Sequence, residues 1–358
     1  MTFILSLPER VKWGVDRQAR ARFVTFVLFI LLIVLSIFSL GYGAAGTPFI
    51  SSLIDLVTGK PLSTVDTVIL RDIRLPRMIM AISVGASLAV SGVVMQGLFR
   101  NPLADPGLVG VGSGAALGAI LAIVLGGMLP LVLREIVGYY LVPIAAFLGG
   151  WATTLLLYKV ATQGGRTSVA MMLLAGIALG ALAGAISGVL VYMADDGQLR
   201  DLTFWGMGSL AGATWSKALV ACPLMFLSIA LSLKLGRGLN SLALGEAAAS
   251  HMGVPVQRLK NGAIMLVAAG TGAAVAVSGG IGFIGIVVPH LLRISTGPDH
   301  RLLLPNAALL GASFLVAADM ISRTVIAPAE LPIGIITAIL GGPVFLWILF
   351  RQKGMVGL

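Results

Sequence analysis

Charge is scarce in this chain. Of its 358 residues only 11% are Asp, Glu, Lys or Arg, less than half the roughly 25% of an ordinary soluble domain. With 58% hydrophobic residues and a mean hydropathy of +1.03, the composition excludes a soluble enzyme and leaves no room for a soluble domain between the apolar runs. Cysteine is nearly missing too. Cys222 lies alone in an apolar stretch and has no partner for a disulfide. The apolar runs hold almost no acids or bases, so a proton or sodium relay has no obvious carriers. There is no Gly-x-x-x-x-Gly-Lys-[Ser/Thr] motif. Gly59-Lys60 is followed by Pro61 and lacks the upstream glycine, so the chain does not bind ATP through a P-loop. His251, His290 and His300 have no ligand spacing and read as structural, so no metal site is expected. No Ser/His/Asp set or carboxylate pair stands out, and no catalytic residue is assigned.

What is present is a series of long apolar runs. A membrane-crossing helix needs about 20 such residues, and runs of that kind fall near 23–43, 78–99, 107–127, 138–158, 170–193, 216–235, 262–281, 302–322 and 333–350, with a shorter one at 284–297. The stretch 262–297 is too long for one helix and short for two. Gly279-Gly280, Gly282, Gly285 and Pro289 break it into a full span and a short one. The expectation is an all-α polytopic membrane protein of ten helices with both ends on one side. The net charge of +10 is scattered among loops, which points to membrane topology rather than to nucleic acid. Arg10, Lys12, Arg17, Arg20 and Arg22 place the N-terminal segment 1–22 in the cytosol, and most of the 24 Lys and Arg then fall inside. The first run is too long for a signal-peptide core and is expected to stay.

The outside segments are then 44–77, 128–137, 194–215, the turn at 282 and 323–332. Thr47-Pro48 to Gly59 fits a short helix lying on the membrane, or an irregular loop. Ala89-Val-Ser-Gly92 recurs as Ala276-Val-Ser-Gly279, a faint hint of two weakly repeated halves.

Three features bear on function. The inside loop 234–260 contains Gly245-Glu246-Ala247-Ala248-Ala249-Ser250-His251-Met252-Gly253, a strong helix former closed by glycine. It reads either as a helix that seats in a partner and passes on its motion, or as a bare surface helix. Gly176, Gly180, Gly184 and Gly188 recur every fourth residue and make one smooth helix face. That face serves close helix packing or forms the wall of a path. Arg71, Arg74, Arg77 and Arg323 lie outside, against the usual bias. They face an acidic partner, lipid headgroups or local carboxylates, and Asp319 stands four residues before Arg323 on the same helix face.

The run Arg74-Leu-Pro-Arg77, then Gly85-Ala-Ser-Leu-Ala-Val-Ser-Gly-Val-Val-Met-Gln96, then Asn101-Pro-Leu-Ala-Asp-Pro-Gly107 closely resembles the iron-chelate, heme and vitamin B12 ABC importer permeases. So do Gly282-Phe-Ile-Gly-Ile-Val-Val-Pro-His290, Asp299-His-Arg301 and Glu330-Leu-Pro-Ile-Gly334, in order along nearly the whole chain. The resemblance implies a single transmembrane permease domain over 1–358 and a homodimer of 20 helices around a central path. Two separate ATPase subunits that bind ATP-Mg would sit below, and a periplasmic or lipid-anchored substrate-binding protein above, in the bacterial inner membrane. Gly245, Glu246, Ala247, Ala248 and Gly253 would couple to the ATPase, with Gly253 one residue later than the common spacing. Docking of the binding protein carries over to Arg74, Arg77 and Arg323, while Arg71 has no such warrant. The path would be lined by 170–193 and 333–350, with an inner gate near Thr167 and Ser168.

The segment from Asp195 to Trp205 resembles the outer segment of heme permeases more than that of vitamin B12 permeases. Heme is therefore the expected cargo, with ferric siderophore and vitamin B12 as alternatives and an ion-coupled secondary transporter or channel as the rival of another class. The polar break Arg100–Gly107, with its Asn-Pro and Asp-Pro pairs, reads as an inner turn.

Overall fold

A computed structural model describes residues 9–42, 63–164 and 166–356. The expected surface helix at 47–59 lies outside these. Thirteen helices organise the description: α1 Glu9–Gly41, α2 Leu75–Phe99, α3 Val111–Leu125, α4 Leu141–Ala161, α5 Val169–Met193, α6 Asp196–Met207, α7 Trp215–Leu233, α8 Gly236–Leu242, α9 Glu246–His251, α10 Val256–Ser278, α11 Ile284–Thr296, α12 His300–Ser322 and α13 Ile333–Val356. Among the described residues eight helical segments are long and apolar enough to cross a membrane, and Ile284–Thr296 and Ile333–Ile348 are shorter apolar helices. The protein is an integral membrane protein of the all-α class. The stretch at 262–297 divides as the glycines require, because Gly279 and Phe283 both take a positive φ of +69° between α10 and α11.

α2 is the centre. Met80, Ala81, Val84, Ala89, Val93, Val94 and Met95 are sealed from solvent, and α12, α10, α7 and α11 pack around it. Glycine sets how close they come. A Cβ on Gly85 would lie 2.3 Å from the carbonyl oxygen of Gly311 in α12, and one on Gly92 would lie 2.0 Å from that of Gly285 in α11. Small residues at such crossings let backbones approach, which is the chief source of helix association where lipid is as apolar as the side chains. A second pair forms the same way. Gly114 of α3 meets the carbonyl of Gly149 in α4, and Gly118 meets that of Ala145. The outer surfaces are apolar, as Phe23, Phe26 and Phe29 of α1 illustrate.

The structure corrects the reading of several loops. The segment 44–77, expected outside, is helical from Thr64 onward, where the Ser63 side chain caps the Asp66 N–H. A π-helical turn over Val68–Arg74 then joins it to α2. Pro76 cannot donate to the turn before it, and the widened turn stands directly ahead of that proline. The segment 194–215, also expected outside, contains α6, opened by a reciprocal capping box between Asp195 and Gln198. The segment 128–137 contains a short helix, Leu131–Val137. The 162–167 connection contains a two-residue antiparallel ladder pairing Thr162 with Thr167 and Gln163 with Arg166. The polar break is a turn as expected. Arg100 ends α2 at φ +51°, Asn101 Oδ1 accepts the Leu103 N–H at 2.9 Å, and Asp105 Oδ1 accepts the Gly107 N–H at 2.7 Å.

The loops gather at two ends. At one, Arg17, Gln18, Asn240, Thr296 and Asp299 share a cavity of about 410 Å³. Hydrogen bonding to Arg301 holds the Asp299 carboxyl down at about 2, so it caps α12 as an anion. At the other end the Trp215 indole N–H donates to the Arg71 carbonyl, and the Ile333 N–H to that of Gly208.

The crossings make a prediction. Gly85→Val and Gly92→Val should each cost at least the 1–3 kcal/mol typical of overpacking, since the obstacle is backbone. Gly188→Ala, which meets nothing within 4 Å, should leave the isolated subunit unchanged. Thermal transitions of the purified protein in detergent check both, and parental stability in Gly92→Val would refute the crossing.

Candidate functional site

At the end bearing Arg71, the three expected docking arginines converge, but they are not presented to solvent. Arg74, Arg77 and Arg323 are 4%, 6% and 5% exposed. A buried guanidinium must find partners, and each does. Arg77 sits between two carboxylates, with Nη2 2.8 Å from Asp319 Oδ1 and Nη1 2.8 Å from Glu330 Oε1. Its Nε also donates to Asp319, at 2.9 and 3.2 Å. Arg323 lies one turn after Asp319 and reaches it at 3.6 Å through Nε, while Nη2 donates to the Ser39 carbonyl at 2.7 Å and the Ser39 hydroxyl at 2.8 Å. Arg74 donates to the carbonyls of Leu40 at 2.5 Å and Gly41 at 3.1 Å.

Ser39, Leu40 and Gly41 are the last turn of α1. The closing carbonyls of a helix have no partner within it and carry its negative end. Two of the arginines therefore bind α1 to the bundle through its C-terminus. Asp319 does sit beside Arg323 as its spacing suggests, yet its closer contacts go to Arg77. Arg71 is the exposed member of the set. Glu330, whose side chain is 35% exposed, is the part of this network nearest to solvent. In the sequence Glu330 stands only as the first residue of Glu330-Leu-Pro-Ile-Gly334, and nothing local marks it as a partner of Arg77.

At the opposite end the expected short helix forms over Glu246–His251. Gly245 precedes it at φ +107° and Gly253 follows at φ +79°. The Val254 N–H donates to Ala249 O and the Gly253 N–H to Ser250 O, at 3.0 and 2.9 Å. This is the paired closure that glycine permits past a helix end. Ala249 is fully buried beneath the helix, while Glu246, Ala247 and Ser250 face outward and Leu244 and Met252 flank it, exposed. Glu246 is paired at 2.7 Å with Lys260, which is 3% exposed. Lys260 also donates to the Thr167 carbonyl at 2.9 Å. Ser168 accepts the Met171 N–H and caps α5. Lys260 and Gln257 were missed, and the one available signal was a lysine at the start of an apolar helix.

The glycine stripe divides along its length. α5 packs on α3 and α4 through Met172, Ala175, Gly176, Ala183 and Leu190. Gly176 is buried and Gly180 lies beside Ser113, whereas a Cβ on Gly184 or Gly188 would meet nothing within 4 Å. Ile177, Leu182, Val189 and Tyr192 of the same helix are exposed, Tyr192 to 91%. Ile339 and Leu346 of α13 are exposed as well. Packing within the subunit thus explains the first half of the stripe and leaves the second half open.

Comparison with known proteins agrees with this architecture. A family model described as the FecCD transport family matches residues 31–351. The hemin transport system permease protein HmuU of Yersinia pestis is 51% identical over 282 residues, 79% of this chain and 83% of that protein. The cobalamin import system permease protein BtuC of Halobacterium salinarum is 44% identical over 282 residues, 79% of this chain and 73% of that protein. A solved structure described as an inward-facing conformation of a metal-chelate type ABC transporter aligns with a TM-score of 0.79 and 34% identity, covering 92% of this chain and 99% of that one.

The arginine cluster makes a stability prediction. Asp319→Asn removes the anion shared by two buried guanidinium groups. Breaking a buried pair from one side costs about 3–5 kcal/mol, which is roughly 5 °C in a thermal transition for a chain of this size. Glu330→Gln, at a partly exposed carboxylate, should cost no more than about 1 kcal/mol. Equal effects of the two in a detergent melt would refute the central place of Asp319.

Proposed function

The chain belongs to the FecCD transport family, and from that premise we propose that it is the membrane-spanning subunit of a binding-protein-dependent ABC importer that moves heme across the bacterial inner membrane. The observation that carries the importer reading is the glycine-closed helix α9, seated on the bundle through buried Ala249 and the Glu246–Lys260 pair with its outer face and two apolar flanks, Leu244 and Met252, open. A free-standing loop would have no need of that closure. An ATPase surface would seat it through Gly245, Glu246, Ala247, Ala248 and Gly253. Heme is favoured over vitamin B12 by the 51% against 44% identity of the two relatives and by the outer segment now seen as α6.

The whole chain acts as one permease domain, with the N-terminal segment 1–22 and loop 234–260 in the cytosol and both termini there. Support comes from the shared cavity, which sets Arg17 beside Asn240 and Asp299, at the end rich in basic residues. Two copies form a homodimer. The open halves of α5 and α13, with Gly184 and Gly188 on the former, face the partner or the path between them. The chain itself binds no nucleotide, and ATP-Mg is held by the two ATPase subunits. Closure of those subunits drives α9, and the motion reaches Thr167 and Ser168 at the base of α5, where the inner gate lies. The path opens alternately to each side.

The docking role of Arg74, Arg77 and Arg323 takes a modified form. Arg74 and Arg323 are committed to the end of α1 and shape the mouth. Arg77 is reached by an acidic group of the binding protein only in exchange for Glu330. Glu330→Gln is therefore expected to tighten binding-protein docking severalfold, and Arg77→Glu to weaken it, with both effects fading at high salt. Affinity of the purified binding protein for dimers in lipid discs measures this, and equal affinity of Glu330→Gln and parent would sink the exchange.

The decisive experiment reconstitutes the chain with its ATPase and binding protein in liposomes. ATP hydrolysis and uptake are followed with heme, a ferric siderophore or cobalamin. Heme-loaded binding protein should stimulate both. A response to cobalamin or siderophore alone overturns the cargo, and uptake by this chain alone under an ion gradient overturns the importer.

A further inference from the structure

We propose that Lys260 is the positioning residue that ties α9 to the hairpin at the base of α5, so that displacement of α9 is passed to Thr167. The inference rests on the reading of α9 as the ATPase-contacting helix and of Thr167 as part of the gate. It names the side chain that joins them.

The Lys260 ammonium is buried and makes two short contacts with elements remote from each other in sequence: Glu246 Oε1 at 2.7 Å and the Thr167 carbonyl at 2.9 Å. An ammonium is compact and carries three N–H directions, so one group can serve acceptors on two elements at once. Away from bulk water such charge-assisted bonds are the strong ones. Gln257, three residues earlier on the same face of α10, completes the hold. Its Oε1 accepts the Thr167 N–H at 3.1 Å, and its Nε2 donates to Thr167 Oγ1 at 2.6 Å and to Asn261 Oδ1 at 2.7 Å. The Thr167 hydroxyl also meets that of Thr162 across the ladder at 2.9 Å. All three polar groups of Thr167 are therefore engaged, two by Gln257 and one by Lys260, and the residue is 3% exposed.

The link from Thr167 to α5 is equally direct. The next residue, Ser168, caps α5 through the Met171 N–H, and its own N–H donates to Ala161, the last residue of α4, at 3.0 Å. A movement of Glu246 thus reaches the start of α5 through Lys260, Thr167 and the adjoining Ser168 cap. Glu246 is 47% exposed on its side chain, so an ATPase residue that draws on this carboxylate alters the Lys260 contact directly.

Lys260→Met keeps the stem and removes both bonds. Glu246 stays in water, so the variant should fold and assemble with the ATPase. In proteoliposomes holding the ATPase and heme-loaded binding protein, uptake per ATP hydrolysed is expected to fall at least tenfold, the change that loss of even one charge-assisted bond implies. Basal hydrolysis and assembly should remain parental, and the thermal transition should fall by only a few degrees, the cost of one buried acceptor left open. A purely structural role would lower stability and assembly and leave that ratio alone. Gln257→Leu, which frees Thr167 but leaves the ion pair, should lower the ratio in the same direction and gives the answer should Lys260→Met not assemble. Parental uptake per ATP in either assembled variant overturns the bridge. The parent complex tests the importer reading by itself: if it takes up heme with ATP while the variants stay fully coupled, only the bridge has failed.

Discussion

The contact on which the rest of this structure depends is backbone against backbone at two glycines of α2. Gly85 and Gly92 bring α12 and α11 so close that a methyl group would collide with the carbonyl oxygens of Gly311 and Gly285. Between helices in lipid no gain comes from hiding apolar surface from water, so close packing supplies the association. α12, held in this way, becomes the surface on which α1 rests, with Asn306 and Thr25 bonded at 2.7 Å. α10 and α7 fill the remaining sides of α2, and α10 in turn meets the α3–α4 pair that carries α5.

The two ends of the bundle follow one electrostatic rule with different outcomes. A charge removed from water must be met by an opposite charge or by aligned dipoles. At one end three guanidinium groups are met by two carboxylates and by the closing carbonyls of α1, and one of those carboxylates, Glu330, remains partly in water. At the other end a single ammonium is met by Glu246 and the Thr167 carbonyl. In both places the buried cation is fixed and the half-exposed partner is an acid. The acid is the member of each pair that solvent reaches, Glu330 at one end and Glu246 at the other.

Much of this was legible from the chain. The apolar runs mark the spans, because lipid demands long uninterrupted stretches. The glycines at 279–285 mark the break between α10 and α11, and the Gly-flanked Glu-Ala-Ala stretch marks α9. The turn at Arg100–Gly107 follows from Asn and Asp beside proline. The polar helices α6 and α8 and the π turn before α2 were not legible, since none has the apolar period that reveals a span. The arginines were recognised as unusual, yet their neighbours were hidden. Arg77 and Asp319 are 242 positions apart, and Arg323 and Ser39 are 284 apart.

Sequence alone determined the class, the order of the spans, the family and the location of the short helix α9, because hydropathy, caps and turns act over a few neighbouring residues. Tertiary structure decided which charges are buried and which glycines are spent. Arg74 and Arg323 became clamps on α1 rather than free anchors, and Gly176 was covered while Gly184 and Gly188 stayed open. Desolvation and close approach depend on what the fold brings alongside from hundreds of residues away, and no local pattern encodes that.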